Sequence, residues 1–389
     1  MKALRNLVDK LKPTFSEGGK FSALHSTFEG FETFLFVPNT TTQKGAHIRD
    51  CNDMKRTMIM VVLALVPALL FGMYNTGYQH FLSLGQEAGL WQCFWFGFLK
   101  VLPMIIVSYL VGLSIEFAFA QKRGHEINEG FLVSGLLIPM IMPVDVPLWM
   151  LALGTAFAVV IGKEVFGGTG MNVFNPALLA RAFVFFAYTP FMSGETVWVA
   201  GLGKAEAGAI ADGFSGATAL EQLSTTGEMS YSICDALIGL MPGCVGETSV
   251  IAIALGALVL LVSGVASWRT MVSVFVGGLA MGLLFNAIGA NAYMEVPAYT
   301  HLLVGCFAFG AVFMATDPVT SAQTNAGKYI VGFMTGALAV MIRVINPAYP
   351  EGMMLAIIFM NALAPVVDHY VVQANINRRN RRAKKMVNA

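Results

Sequence analysis

Along this chain the apolar residues come in long runs, and the polar residues collect into a few separate stretches. After a mixed segment over 1–56, apolar runs recur at about 57–75, 97–119, 130–143, 148–163 and 177–190. A polar stretch over 191–248 follows. Further runs lie at about 249–267, 270–288, 300–316, 329–345 and 353–371, before a basic tail over 372–389. A helix needs about 20 apolar residues to cross the hydrocarbon of a bilayer. In lipid, only helices and closed barrels satisfy every backbone polar group internally. The pattern predicts an all-α polytopic membrane protein with about ten transmembrane helices: five, a long loop, and five more. Several runs are short, or are broken or flanked by proline, as at Pro139, Pro143, Pro147 and Pro347.

Two short strings echo each other across the loop. Val173-Phe174-Asn175-Pro176-Ala177 precedes the fifth run and Val344-Ile345-Asn346-Pro347-Ala348 the tenth. Repeats offset by five spans must be inverted in the membrane, and inverted repeats with interrupted helices are typical of transport proteins. The chain thus divides into an extension (1–56), a five-helix repeat (57–190), a loop (191–248), a second repeat (249–371) and a tail (372–389). In the extension, Leu4, Leu7, Val8 and Leu11 share one face of a short basic helix. Such a helix lies on a membrane surface or docks on its own protein.

Composition agrees with this reading. Apolar residues make up 56% of the 389 residues and charged ones 12%, roughly half the usual charged share of a soluble domain. The formal net charge of +1 offers nothing to nucleic acid. No apolar core of a cleavable signal peptide stands in the first fifty residues. The cysteines Cys51, Cys93, Cys234, Cys244 and Cys306 are scattered, so neither an iron–sulfur cluster nor a zinc site can be read from them. Redox chemistry here would fall to an organic cofactor.

Charge placement sets an expected orientation. With the N-terminus cytoplasmic, that side gathers the basic extension, Lys122, Arg123, Lys163, Arg181, Arg269, Lys328 and the tail. Only Lys100, Lys204 and Arg343 fall at or beyond the outer face. Both termini are then cytoplasmic and the 191–248 loop is external.

Three groups of residues are candidates for chemistry. Acids at or within spans need a partner, a wet cavity or an ion; these are Glu116, Glu164, Asp317 and Asp368, all toward the cytoplasmic side. Glu164 and Asp317 stand at span ends, where an acid is at home in interfacial water, whereas Glu116 and Asp368 sit deeper. Gly167-Gly168-Thr169-Gly170-Met171-Asn172 is a glycine-rich turn ahead of Asn175-Pro176, a sequence suited to a helix start. The third group, Asp212-Gly213-Phe214-Ser215-Gly216-Ala217-Thr218, sets an acid, two glycines and two hydroxyls in the polar loop.

This last string resembles the motif D-x-x-[ST]-G-A-T, on whose final threonine a flavin transferase links FMN through a phosphodiester. Families carrying it include the B subunit of the sodium-translocating NADH:quinone reductase and the D subunit of the Rnf complex. Similar too are Gly18-Gly19-Lys20, Lys163 to Gly170, Asn175-Pro-Ala-Leu178, Arg181-Ala-Phe183, Ala315-Thr-Asp-Pro-Val319 and Asn346-Pro-Ala-Tyr-Pro-Glu-Gly-Met353. With the N-terminal extension they favour the B-subunit family.

The resemblance implies covalent FMN on Thr218, with Asp212, Gly213, Ser215, Gly216 and Ala217 as its attachment motif. It implies a riboflavin near Asn172 and Asn175, a quinone region at Gly112, and an ion path through Glu29, Glu116, Asp317 and Asp368. It also implies a six-subunit complex in the bacterial inner membrane, with quinone and Na⁺ as substrates. No nucleotide fingerprint is present, so NADH is expected to bind another subunit. One departure stands out: the family carries a Gly-Gly pair where this chain has Gly112-Leu113, which leaves quinone type and inhibitor sensitivity open. The alternatives are an Rnf-type D subunit and a flavin-free channel or carrier for a small solute.

Overall fold

The computed structural model describes residues 2–15, 28, 32, 36, 42, 44–48, 54–123, 130–204, 210, 211, 214–346 and 351–387. Among them every regular element is helical. An amphipathic helix α1 (Lys2–Phe15) comes first. It docks on its own chain: Lys12 pairs with Glu32 at 2.8 Å, Arg5 lies over the Phe36 ring, and Phe15 stacks on Phe28.

Among the described residues, five helices are long and apolar enough to cross a membrane. These are α2 (Met54–Ser83) and α3 (Leu90–Arg123) in the first half, and three in the second half described below. Between α3 and the polar loop stand α4 (Phe131–Met140), α5 (Leu148–Val159) and α6 (Pro176–Ala187). A π-helical turn, Val160–Glu164, extends α5. The loop carries two short helices, α7 (Ala219–Thr226) and α8 (Ile233–Ile238). In the second half α9 (Val250–Val262) precedes the long α10 (Trp268–Ile288), α11 (Asn325–Ile345) and α12 (Met353–Val387). The run at 300–316 is broken into Thr300–Leu303, Phe307–Phe309 and a second π turn, Gly310–Met314.

Of the ten expected spans, the first, second, seventh, ninth and tenth are thus long helices, and the others are shorter or interrupted. Interrupted backbone in an apolar interior must be covered by protein. The stretch after α4 and the stretch before α9 cover each other. Gly246 N–H donates to Met140 O at 2.9 Å, and the Cys244 thiol donates to Ile141 O at 3.1 Å. Met241 to Thr248, within the expected loop, is therefore largely buried. The main core draws on both halves, with Phe131, Met140 and Ile141 packed among Phe307, Phe309 and Ile357.

Helices α10 and α11 cross closely because glycines face each other there. A Cβ added at Gly336 would lie 2.7 Å from Gly278 N and 2.9 Å from the Val274 carbonyl carbon. Between apolar helices in lipid, small residues of this kind let backbones approach.

Arg181 and Arg343 depart from the orientation tally. Both are buried, at 2% and 0% relative exposure, Arg181 against Glu351 and Cys244 and Arg343 against the carbonyls of Glu351 and His301. A paired charge held by the fold obeys its partners, and the loop-charge rule does not apply to it. Lys163, buried against Glu116, leaves the tally on the same ground, and the remaining bias is unchanged in sign.

Gly336→Val should overpack the α10–α11 crossing and cost about 1–3 kcal/mol. Thermal unfolding of the detergent-extracted protein would show it as a lowered midpoint. Gly89→Ala, where an added Cβ meets nothing within 4 Å, should leave the midpoint in place.

Candidate functional site

Of the residues singled out above, Asn172, Asn175 and Asp317 line one cavity and Thr218 lines another. The first, about 100 Å³, lies where the start of α2 meets the turn before α6 and the segment after the second π turn. Asn175 caps α6: its Oδ1 accepts from Ala177 N at 3.0 Å and from Leu178 N at 3.4 Å, with Pro176 at the first helical position, where a missing N–H costs nothing. Its Nδ2 donates to Asp317 Oδ2 at 3.1 Å. Asp317 also accepts from Val319 N and Thr320 Oγ1, at 3.0 and 3.1 Å. One asparagine–aspartate bond thus ties the first half of the chain to the second. Asn172, Thr169 and Lys163 line the same cavity, and Asn172 Nδ2 donates to Phe174 O at 3.1 Å.

Behind this wall stand two ion pairs. Lys163 pairs with Glu116, both about 5% exposed, and Arg123 holds Glu164 at 2.9 Å while also donating to the Glu164 carbonyl. Glu116 is therefore compensated by a partner 47 residues away. The π turn, with its extra residue, carries both Lys163 and Glu164; such turns are frequent at functional sites.

Asp368, expected deep within a span, is half-buried at the start of α11. It accepts from Gln323 N at 2.6 Å and Thr324 N at 3.1 Å, and from the Thr324 hydroxyl. The apolar run around it concealed this, because its partners lie over forty residues away. Gly112 packs against the Phe131 ring, which a Cβ there would strike. Glu29, Asp212 and Gly213 lie outside the described residues.

The second cavity, about 190 Å³, opens beside Thr218 at the opposite end of the helices. Ala211 N bonds to Ser83 O at the close of α2, and His80 Nδ1 meets Ala200 O at 2.7 Å; these contacts hold the loop there. Ser215 Oγ accepts from Ala217 N at 3.2 Å. Gly216 is where the motif presses on the Glu195 carbonyl and Leu202, leaving no room for a Cβ. Thr218 is the N-cap of α7, its Oγ1 accepting from Glu221 N at 3.3 Å. Burial, and next the Glu195 carboxylate, push the Glu221 carboxyl above its usual range.

Beneath Thr218 the cavity reaches Glu247, Thr248, Gly305 and Glu351. By sequence Glu247 falls in an external loop, and Arg181 and Glu351 stand out only within family-like strings. Glu247 and Glu351 show as charged residues beside glycine or proline, but nothing in the sequence links positions 181, 247, 343 and 351. Packing does so.

The model of the NQR2, RnfD, RnfE family matches residues 41–377. The chain is 47% identical to the B subunit of the Na(+)-translocating NADH-quinone reductase of Chromohalobacter salexigens, over 97% of this chain and 96% of that protein. Proteins of the same name from Ectopseudomonas mendocina and Stutzerimonas stutzeri are each 46% identical, over 97% of this chain and 98% of theirs.

Proposed function

The chain belongs to the NQR2, RnfD, RnfE family, and on that premise we propose that it is the membrane subunit through which a respiratory complex couples NADH:quinone electron transfer to outward Na⁺ transport. The near full-length match to B subunits of the Na(+)-translocating reductase carries this reading. It also favours that role over an Rnf-type D subunit and over a carrier without flavin.

In this reading Thr218 bears FMN as a phosphodiester, attached by a flavin transferase. The residues present fit the group. The Thr218 hydroxyl caps a helix and borders a buried cavity, and a helix N-terminus favours a phosphate. When bound, the flavin supplies one- and two-electron chemistry; the chain supplies its tether and its surroundings. A riboflavin belongs in the first cavity. There Asn172 and Asn175 would hold the ring, with Thr169 on the same wall. Gly112 and its neighbours contribute to the quinone region.

Ten spans in two inverted repeats complete the proposal. Asp145 and Asp317 support it: each follows an interrupted segment, and they stand at opposite ends. Asp145 lies beside Lys100 and Gly201, and Asp317 beside Asn175. The Na⁺ route passes the acids Glu29, Glu116, Asp317 and Asp368, with both termini in the cytoplasm of the bacterial inner membrane and five other subunits around it.

The denatured chain should fluoresce under ultraviolet light, and Thr218→Ala should abolish that signal in a chain that still inserts. A fluorescent Thr218→Ala band would sink the attachment site.

Orientation can be read from a native thiol. Cys234 is exposed on the loop, whereas Cys93, Cys244 and Cys306 are buried. In a Cys51→Ser background, a membrane-impermeant maleimide should label Cys234 on intact cells. A cysteine replacing the exposed Ala383 should react only after permeabilisation. The reverse pattern inverts the topology.

For the ion path, Asp368→Asn keeps an acceptor for the α11 N-terminus while removing the charge. The assembled complex should then need severalfold more Na⁺ for half-maximal quinone reduction, with FMN content unchanged. An unaltered Na⁺ curve would leave Asp368 a helix cap alone.

A further inference from the structure

The floor of the cavity below Thr218 has polar groups that the protein itself does not use. Glu247 is 7% exposed and Thr248 1%, and both line the cavity together with Glu351 and Thr218. Glu247 Oε1 accepts from Cys244 N at 2.9 Å. Glu247 Oε2, Thr248 Oγ1 and Arg343 Nη2 have no hydrogen-bond partner. A buried acceptor or donor left without a partner costs about 1–3 kcal/mol, and more when charged. Two of the three, on Glu247 and Thr248, belong to residues of the cavity wall and mark a site completed by something else.

The surrounding charges narrow what that is. Arg181 is held by Glu351 and Cys244. Arg343 is held by two carbonyls and lies over the Phe307 ring. Glu247 and Glu351 are thereby balanced by two guanidinium groups within the same cluster, so the pocket has no excess of negative charge to attract a bare cation. What it offers is a carboxylate acceptor beside a hydroxyl donor. The backbone that presents them, Cys244 to Thr248, is non-helical and buried, as backbone at this depth is when it lines a cavity. Gly305 forms part of the opposite wall, where a Cβ would press on Leu220 and lie 3.2 Å from Arg343 Nη2.

We propose that Glu247 and Thr248 bind the imide edge of a planar heteroaromatic ring, the Glu247 carboxylate accepting from the ring N–H and the Thr248 hydroxyl donating to the adjacent ring carbonyl. This rests on the reading that Thr218 carries a flavin, whose ring presents an N–H between two carbonyls. The cavity runs continuously from Thr218 to this pair, so one ligand can be tethered at the mouth and recognised at the floor. Glu247 and Thr248 are then positioning residues that also set how readily the ring accepts electrons. A carboxylate at the imide edge opposes the negative charge that reduction brings, and a hydroxyl donor favours it.

The test uses the purified complex. Redox titration of its visible absorbance, in difference against Thr218→Ala, isolates the flavin on Thr218. Ultraviolet fluorescence of the denatured chain reports its attachment. Glu247→Gln should keep the fluorescent band and shift the oxidised–reduced equilibrium at least tenfold toward the reduced form, about 30 mV for a two-electron couple. Thr248→Val, nearly isosteric, should shift it the opposite way, and it carries the test alone if Glu247→Gln does not assemble. An unchanged potential in a fluorescent, assembled variant overturns the proposal. So does a Glu247→Gln complex in which only the Na⁺ dependence moves, since that makes the pair an ion site. A parent chain without fluorescence instead overturns the Thr218 reading, which separates the two failures.

Discussion

Everything in this structure depends on how it covers broken backbone inside an apolar interior. Two stretches, the one after α4 and the one before α9, leave the helical ladder where water cannot reach them. Each supplies what the other lacks: Gly246 donates to Met140 and Cys244 to Ile141. Because one stretch belongs to the first half and the other leads into the second, the two halves are joined through them. The cavities follow from the same constraint, for irregular backbone leaves polar groups and space that a continuous helix would close.

Each cavity is sealed by a long-range polar contact. At the end where α2 begins, Asn175 and Asp317 join positions 142 residues apart. At the other, Arg181 reaches Glu351 across 170 residues. Breaking a buried pair by removing one partner costs about 3–5 kcal/mol, because the other charge is left uncompensated. The same residues therefore hold the fold together and shape the sites, so variants at them need a measure of assembly beside any measure of activity.

The sequence made some of this plain and hid the rest for identifiable reasons. Long apolar runs marked all five long helices, since twenty residues of hydrocarbon contact leave an unmistakable pattern. The interrupted elements were visible only as short runs near Pro139, Pro143 and Pro147; hydropathy does not tell a short helix from a full span. The Thr218 motif was legible because its residues are contiguous, and Asn175-Pro176 because a helix start has a local grammar. Asp368 stood out as an acid among apolar neighbours, but its hydrogen-bond partners, Gln323 and Thr324 just ahead of α11, had no spacing to reveal them. The cluster of Arg181, Glu247, Arg343 and Glu351 was out of reach for the same reason: a constellation drawn from four separate segments has no spacing to read.

Helix α12 ties the two ends of the protein together mechanically. It starts two residues after Glu351, whose side chain is gripped by Arg181, and runs unbroken past Asp368, which is gripped by the head of α11. A helix of this length behaves as a stiff shaft, and it sets the distance between the two grips. The shaft has one joint: Pro365, three residues before Asp368, removes a rung of the ladder where a bend costs least. The joint stands between the two grips and next to the second, so the shaft can yield only beside Asp368.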